Sequence, residues 1–124
     1  QDLPNEWNQR YGQLLGVQPA SDAEGCLQDV HWSEGLFGYF PSYLLGHLIS
    51  AQLSEAMETE IGSPEEHIAA GDMTPMLGWL RQNVHGVGRA LNAEDLVQQV
   101  TGRPLDSAAF LRHLTAKLNR LATL

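Results

Sequence analysis

Gln28, Asp29, His31, Trp32, Tyr39 and Tyr43 fall within sixteen positions of a 124-residue chain, with Gly35, Gly38 and Pro41 between them. His, Tyr and Trp carry polar tips on apolar bodies, so they can line an apolar surface and still hydrogen-bond. Glycine lets the intervening backbone turn tightly or approach another group closely. A loop composed this way suits a surface that meets a substrate. His31 and Tyr39 would project polar groups toward it, with Tyr43 beside them. Gln28 and Asp29 would hold the loop and the histidine tautomer. The competing reading makes Trp32, Phe37, Tyr39 and Tyr43 core aromatics, with His31 hydrogen-bonded among them.

Other chemistry finds less support. The five histidines are His31, His47, His67, His85 and His113, and no two are spaced as in His-Glu-x-x-His. Adjacent Glu66 and His67 would point to different parts of a helix surface. A zinc site made from this chain alone is therefore not expected, and no metal ligand is assigned. Cys26 has no base near it in sequence and reads as a buried, inert thiol. No Gly-x-Ser-x-Gly elbow is present, and the glycines near Gly35 and Gly86 follow no strand, so no phosphate-cradling loop is expected.

The elements that would position the central stretch read as helices. Asp2 and Pro4 open a first helix through Leu3, Trp7, Tyr11, Leu14 and Leu15, which Gly16 closes. Ser21 and Glu24 form a capping-box pattern, predicting a short helix over about Asp22 to Asp29, with Gly25 as its weak point. Val30 to Tyr39 reads as irregular. A long helix is expected from about Phe40 to Ile61, ended by Gly62. Ser63, Pro64 and Glu66 restart a short helix that stops at Gly71. Thr74 and Pro75 start another, which fades at Gly86. Asn92 caps one closed by Gly102, and Asp106 caps the last, with Phe110, Leu111, Leu114, Leu118 and Leu121 on one face. No segment alternates with period two. The expected fold class is all-α, about six or seven helices in one domain spanning 1–124.

Composition narrows the function. The chain is 43% hydrophobic and 18% charged, as a globular domain is. A net charge of −8 argues against nucleic acid and against an anionic membrane surface. No apolar run approaches the roughly 20 residues of a membrane span. The start lacks a basic and an apolar region, so no secretory signal is expected. One cysteine excludes an internal disulfide and fits a reducing, cytoplasmic setting. Gln1 stands where an initiator Met would, as in a piece cut from a longer chain.

Gly25-Cys26-Leu27-Gln28-Asp29-Val30-His31-Trp32 resembles the Gly-x-x-Gln-Asp-x-His-Trp signature of the carboxypeptidase Taq family, which are zinc metallocarboxypeptidases. The flanks are similar too: Asp2-Leu3-Pro4 with Trp7 and Tyr11, and Phe37-Gly38-Tyr39-Phe40-Pro41 with Tyr43 and Gly46. So are Trp79-Leu80-Arg81 with His85 and Gly88, Thr101-Gly102 with Pro104-Leu105, and Phe110-Leu111 with Leu114. The resemblance covers essentially the whole chain and implies the C-terminal part of a longer helical enzyme, typically a dimer. That enzyme would remove single residues from peptide C-termini, using zinc held by a His-Glu-x-x-His helix in a missing N-terminal part. The family fold is similar to the angiotensin-converting-enzyme group, where a histidine followed by a Tyr-Phe pair leads into a long helix. By that resemblance His31 would bind the substrate backbone near the scissile bond, Tyr39 would stabilise the oxyanion and Tyr43 would line the groove. This chain alone would be inactive. The rival reading is a helical interaction or scaffold domain that keeps the signature without catalysis. A His-Glu-x-x-His motif encoded upstream of Gln1, in frame, separates the two.

Overall fold

The computed structural model describes residues 2–123 and contains six α-helices, with no strand among those residues. The backbone forms two compact units, Gln1–Pro41 and Ser42–Leu124.

In the first unit, α1 (Leu3–Leu15) carries Pro4 in its first turn, Asp2 before it makes no side-chain cap bond, and Gly16, with φ of 69° and an N–H bond to the Gly12 carbonyl, closes the helix. After α1 the chain makes two 3-10 turns, Cys26–Gln28 and Val30–Trp32. The α-helix expected over Asp22 to Asp29 does not form, and neither does its Ser21–Glu24 capping box. Glu24 N–H donates to the Ser21 carbonyl and Gly25 N–H to the Asp22 carbonyl, which are tight turns. Gly25 adopts φ −111° and ψ −118°, outside the helical region. It also lies close against its neighbours: a Cβ there would sit 3.1 Å from Pro19 Cγ and 3.3 Å from Asn8 Oδ1. The glycine is used for close approach to α1, and the helix gives way to it. Cys26 beside it is buried, as expected.

The second unit carries α2 (Pro41–Ile61, begun on the last residue of the first unit), α3 (Pro64–Ala70), α4 (Thr74–Leu80), α5 (Ala93–Thr101) and α6 (Ala108–Leu121). These bounds follow the glycine and proline punctuation of the sequence closely. Asn92 caps α5 by accepting from Asp95 N–H at 2.9 Å. Asp106 accepts from Ala108 N–H at 2.8 Å, but α6 begins one residue later than a cap at Asp106 implies, with Ser107 in the cap position and making no side-chain cap bond. Ser63 makes no side-chain cap, and α3 relies on Pro64 in its first turn. α4 runs on as a π-turn at Arg81–His85 and stops at Gly86, where the pattern ends it. His67 is not on a solvated face: it is half-buried and its Nε2 lies 2.9 Å from the Ile61 carbonyl, so Nε2–H donates to the end of α2.

Met57, Trp79, Val97 and Ala109 form the apolar centre of this unit, together with the fully buried Gln52. Gln52 staples the α5–α6 connection to α2. Its Nε2 donates to Thr101 Oγ1 (3.1 Å) and the Pro104 carbonyl (3.0 Å), while Oε1 accepts from Asp106 N–H (3.2 Å). His47 on α2 stacks on Phe110 of α6 at 5.9 Å. One turn beyond Gln52, Glu55 binds Arg112 of α6 at 2.8 Å and Arg103 at 2.6 Å. The Arg112 guanidinium, with Arg103, holds the Glu55 carboxyl below its ordinary 4.5 against the opposing effect of burial. Among the described residues no helix is long and apolar enough to cross a membrane.

Candidate functional site

The site is built on the second 3-10 turn of the first unit. Asp29 precedes that turn and accepts from His31 N–H at 3.0 Å, capping it. The same oxygen, Oδ1, lies 2.6 Å from His31 Nδ1. An ionised carboxylate can only accept, so Nδ1 carries the proton and Nε2 is the acceptor of the neutral ring. The two side chains are 15% and 21% exposed, enough shielding from water to make the bond matter.

The chain then folds back. Leu36 N–H returns to the His31 carbonyl at 2.8 Å, and Tyr39 N–H donates to the Leu36 carbonyl at 3.3 Å. Gly35 and Gly38, at φ 72° and 74°, permit this reversal, which other residues would resist. The result brings Tyr39 onto His31, with ring centroids 5.4 Å apart, and sets the Phe40 ring edge-on to the same imidazole at 5.6 Å. The sequence-predicted pair His31 and Tyr39 is thus assembled eight residues apart by one loop.

Two other candidates, Gln28 and Trp32, belong to the same unit. The Gln28 amide donates to the Ala23 carbonyl, holding the approach to the turn rather than the histidine. Trp32 is half-buried and stacks with Phe37 at 6.4 Å. Tyr43 lies in the first turns of α2, in the second unit. Of the aromatics in the core reading, Phe37 is 74% exposed, Tyr43 51% and Tyr39 46%, while Trp32 and the hydrogen-bonded His31 are half-buried.

Beside the pair lies a cavity of about 320 Å³ lined by Trp7, Tyr11, Gly25, Gln28, Asp29 and Phe40. It was not legible in the sequence, where Trp7 and Tyr11 read simply as the apolar stripe of a helix. The residues present do not fit a metal site. No three of His, Cys, Asp and Glu among the described residues stand together as a ligand set. In the Asp29–His31 pair, Oδ1 and Nδ1 are turned on each other.

A family model described as Carboxypeptidase Taq (M32) metallopeptidase matches residues 1–118. The helical fold is thus that of a metallopeptidase group, and the chain belongs to the carboxypeptidase Taq family. Thermostable carboxypeptidase 1 of Thermus thermophilus is 42% identical over 94% of the chain, matching 23% of its own length. Carboxypeptidase 1 of Bacillus subtilis is 40% identical over 98% of the chain and 24% of itself. The crystal structure of the M32 carboxypeptidase from Deinococcus radiodurans superposes with a TM-score of 0.90 at 36% identity, covering 99% of this chain and 25% of that one. The chain therefore spans about a quarter of the length of the relatives it matches.

Proposed function

We propose that residues 1–124 act as one segment of a zinc-dependent metallocarboxypeptidase, removing single residues from peptide C-termini, and that the segment supplies one wall of the substrate groove. The observation that carries this reading is the His31 imidazole, fixed by Asp29 on one side and stacked against Tyr39 on the other. The Tyr39 phenol donates a hydrogen bond to the scissile carbonyl oxygen as negative charge develops there. A donor fixed before the reaction stabilises that charge without reorganising. The His31 Nε2 accepts from a substrate backbone N–H nearby and so fixes the peptide's register. Tyr43 lines the groove, while Gln28 and Trp32 hold the loop. The zinc ion such an enzyme uses would be held by residues outside this chain. A cytoplasmic dimer belongs to the same reading, resting on the family resemblance and on the single cysteine, Cys26.

Segment exchange tests it. Replacing the matching quarter of the Bacillus subtilis relative, 40% identical to this chain, should leave a peptidase that still trims C-termini. A chimera that folds and loads metal yet releases no C-terminal residue would contradict the proposal.

A further inference from the structure

The cavity beside Asp29 has a composition that selects its occupant. Its wall is aromatic: Trp7 and Tyr11, one turn apart on α1, stack with centroids 4.1 Å apart and planes 14° apart, and Phe40 faces the same space. Its polar lining is Gln28 and the carboxylate of Asp29, whose two bonds to His31 both fall on Oδ1 rather than Oδ2. Gly25 completes the lining and adds no side chain to it.

We propose that this cavity binds a basic side chain, lysine or arginine, of a peptide. An aromatic face attracts a cation through its quadrupole, most strongly for Trp. A carboxylate at the same site adds an acceptor for its N–H groups. An anion would meet Asp29 with like charge. A wholly aliphatic chain would cover the Asp29 carboxylate without offering it a hydrogen bond. The surrounding charge points the same way. Residues 1–41 carry six carboxylates and one arginine, a net charge of −5 with histidines neutral. That one arginine, Arg10, is already bound to Glu6 at 2.6 Å. Such a field draws cations toward the site and weakens as salt is raised. The volume, about 320 Å³, is at the lower end of those that hold small ligands and ample for one side chain. The inference takes from the proposed peptidase role only that the ligand is part of a peptide; binding itself needs no catalysis.

The test is an NMR titration of the 124-residue chain, following the Trp7 indole N–H, assigned by its loss in Trp7→Phe. Three probes are compared: the N-acetyl methylamides of arginine, citrulline and norleucine. Citrulline keeps the shape of arginine without its charge. The expected result is a saturable Trp7 shift with arginine, at least about tenfold weaker with citrulline and norleucine, as loss of a shielded cation–aromatic contact requires. Asp29→Asn should weaken arginine severalfold and leave norleucine unchanged. Norleucine binding as tightly as arginine would make the cavity an apolar subsite and overturn the proposal. So would an arginine affinity indifferent to Asp29→Asn, or no saturable shift from any probe. A negative titration beside a Tyr39→Phe enzyme that loses turnover would remove this site and leave the peptidase role standing.

Discussion

A neutral imidazole has one donor and one acceptor nitrogen, and what His31 can do depends on which is which. Asp29 decides it by taking Nδ1–H, and the same oxygen caps the turn that carries the ring. Position and tautomer thus depend on one atom. Asp29→Ala should shift the His31 ring from the Nδ1–H tautomer to a mixture, read from its ring ¹⁵N shifts. It should also cost about 0.5–2 kcal/mol of stability through the lost cap. Asp29→Asn, which can still cap, should cost less. An unchanged tautomer in the alanine variant would mean that Asp29 does not orient the ring. At this scale much was legible, because Asp29, His31 and Tyr39 are close in sequence and the glycines between them announce a reversal. The cavity was not, since Trp7 and Tyr11 meet Gly25 and Phe40 only after folding.

Helix ends were read well wherever a glycine has to be left-handed, as at Gly16, Gly71 and Gly102. At Gly25 the same residue type serves close packing instead, and pattern alone could not tell those uses apart. The π-turn at Arg81–His85 carries no periodic signature either. Nor could the burial of Gln52 be seen, since its partners lie at Thr101, Pro104 and Asp106. Gln52→Leu keeps the volume but strands the Asp106 N–H and removes the donor to the Pro104 carbonyl. Pro104 and Asp106 are exposed, so each lost bond counts at its net worth of about 0.5–1.5 kcal/mol, and denaturant unfolding should show a loss of about 1–3 kcal/mol. A loss below about 0.5 kcal/mol would mean that water replaces the staple. Glu55 gives this unit a pH dependence. Its folded pKa lies below the ordinary 4.5, so its contribution is full above that value and is lost as pH falls through the folded one. The melting temperature should therefore drop on acidification below about pH 4.5, and Glu55→Gln should flatten part of that drop. Equal acid sensitivity in both proteins would assign it to other carboxylates.

The whole chain presents more apolar side chain than its small buried centre would require. Leu44 and Leu45 on α2, and Leu111, Leu114, Leu118 and Leu121 on α6, are all exposed, while Leu48 and Leu53 are half-buried. Large contiguous apolar surface ordinarily finds a partner. The isolated chain should self-associate despite its net charge of −8, with light-scattering mass rising with concentration. A monomer at all concentrations would mean those leucines need no cover. The central claim, that this segment contributes to transition-state stabilisation, is tested most directly by kcat for Tyr39→Phe in the peptidase that carries it. Phe keeps the ring against His31 and removes only the hydroxyl, so stability and bound metal should hold. An interaction made chiefly in the transition state lowers kcat more than it raises KM. The account predicts a loss of roughly 10²–10³ in kcat at full metal occupancy. A kcat within about threefold of the parent, under 1 kcal/mol of barrier, would contradict it.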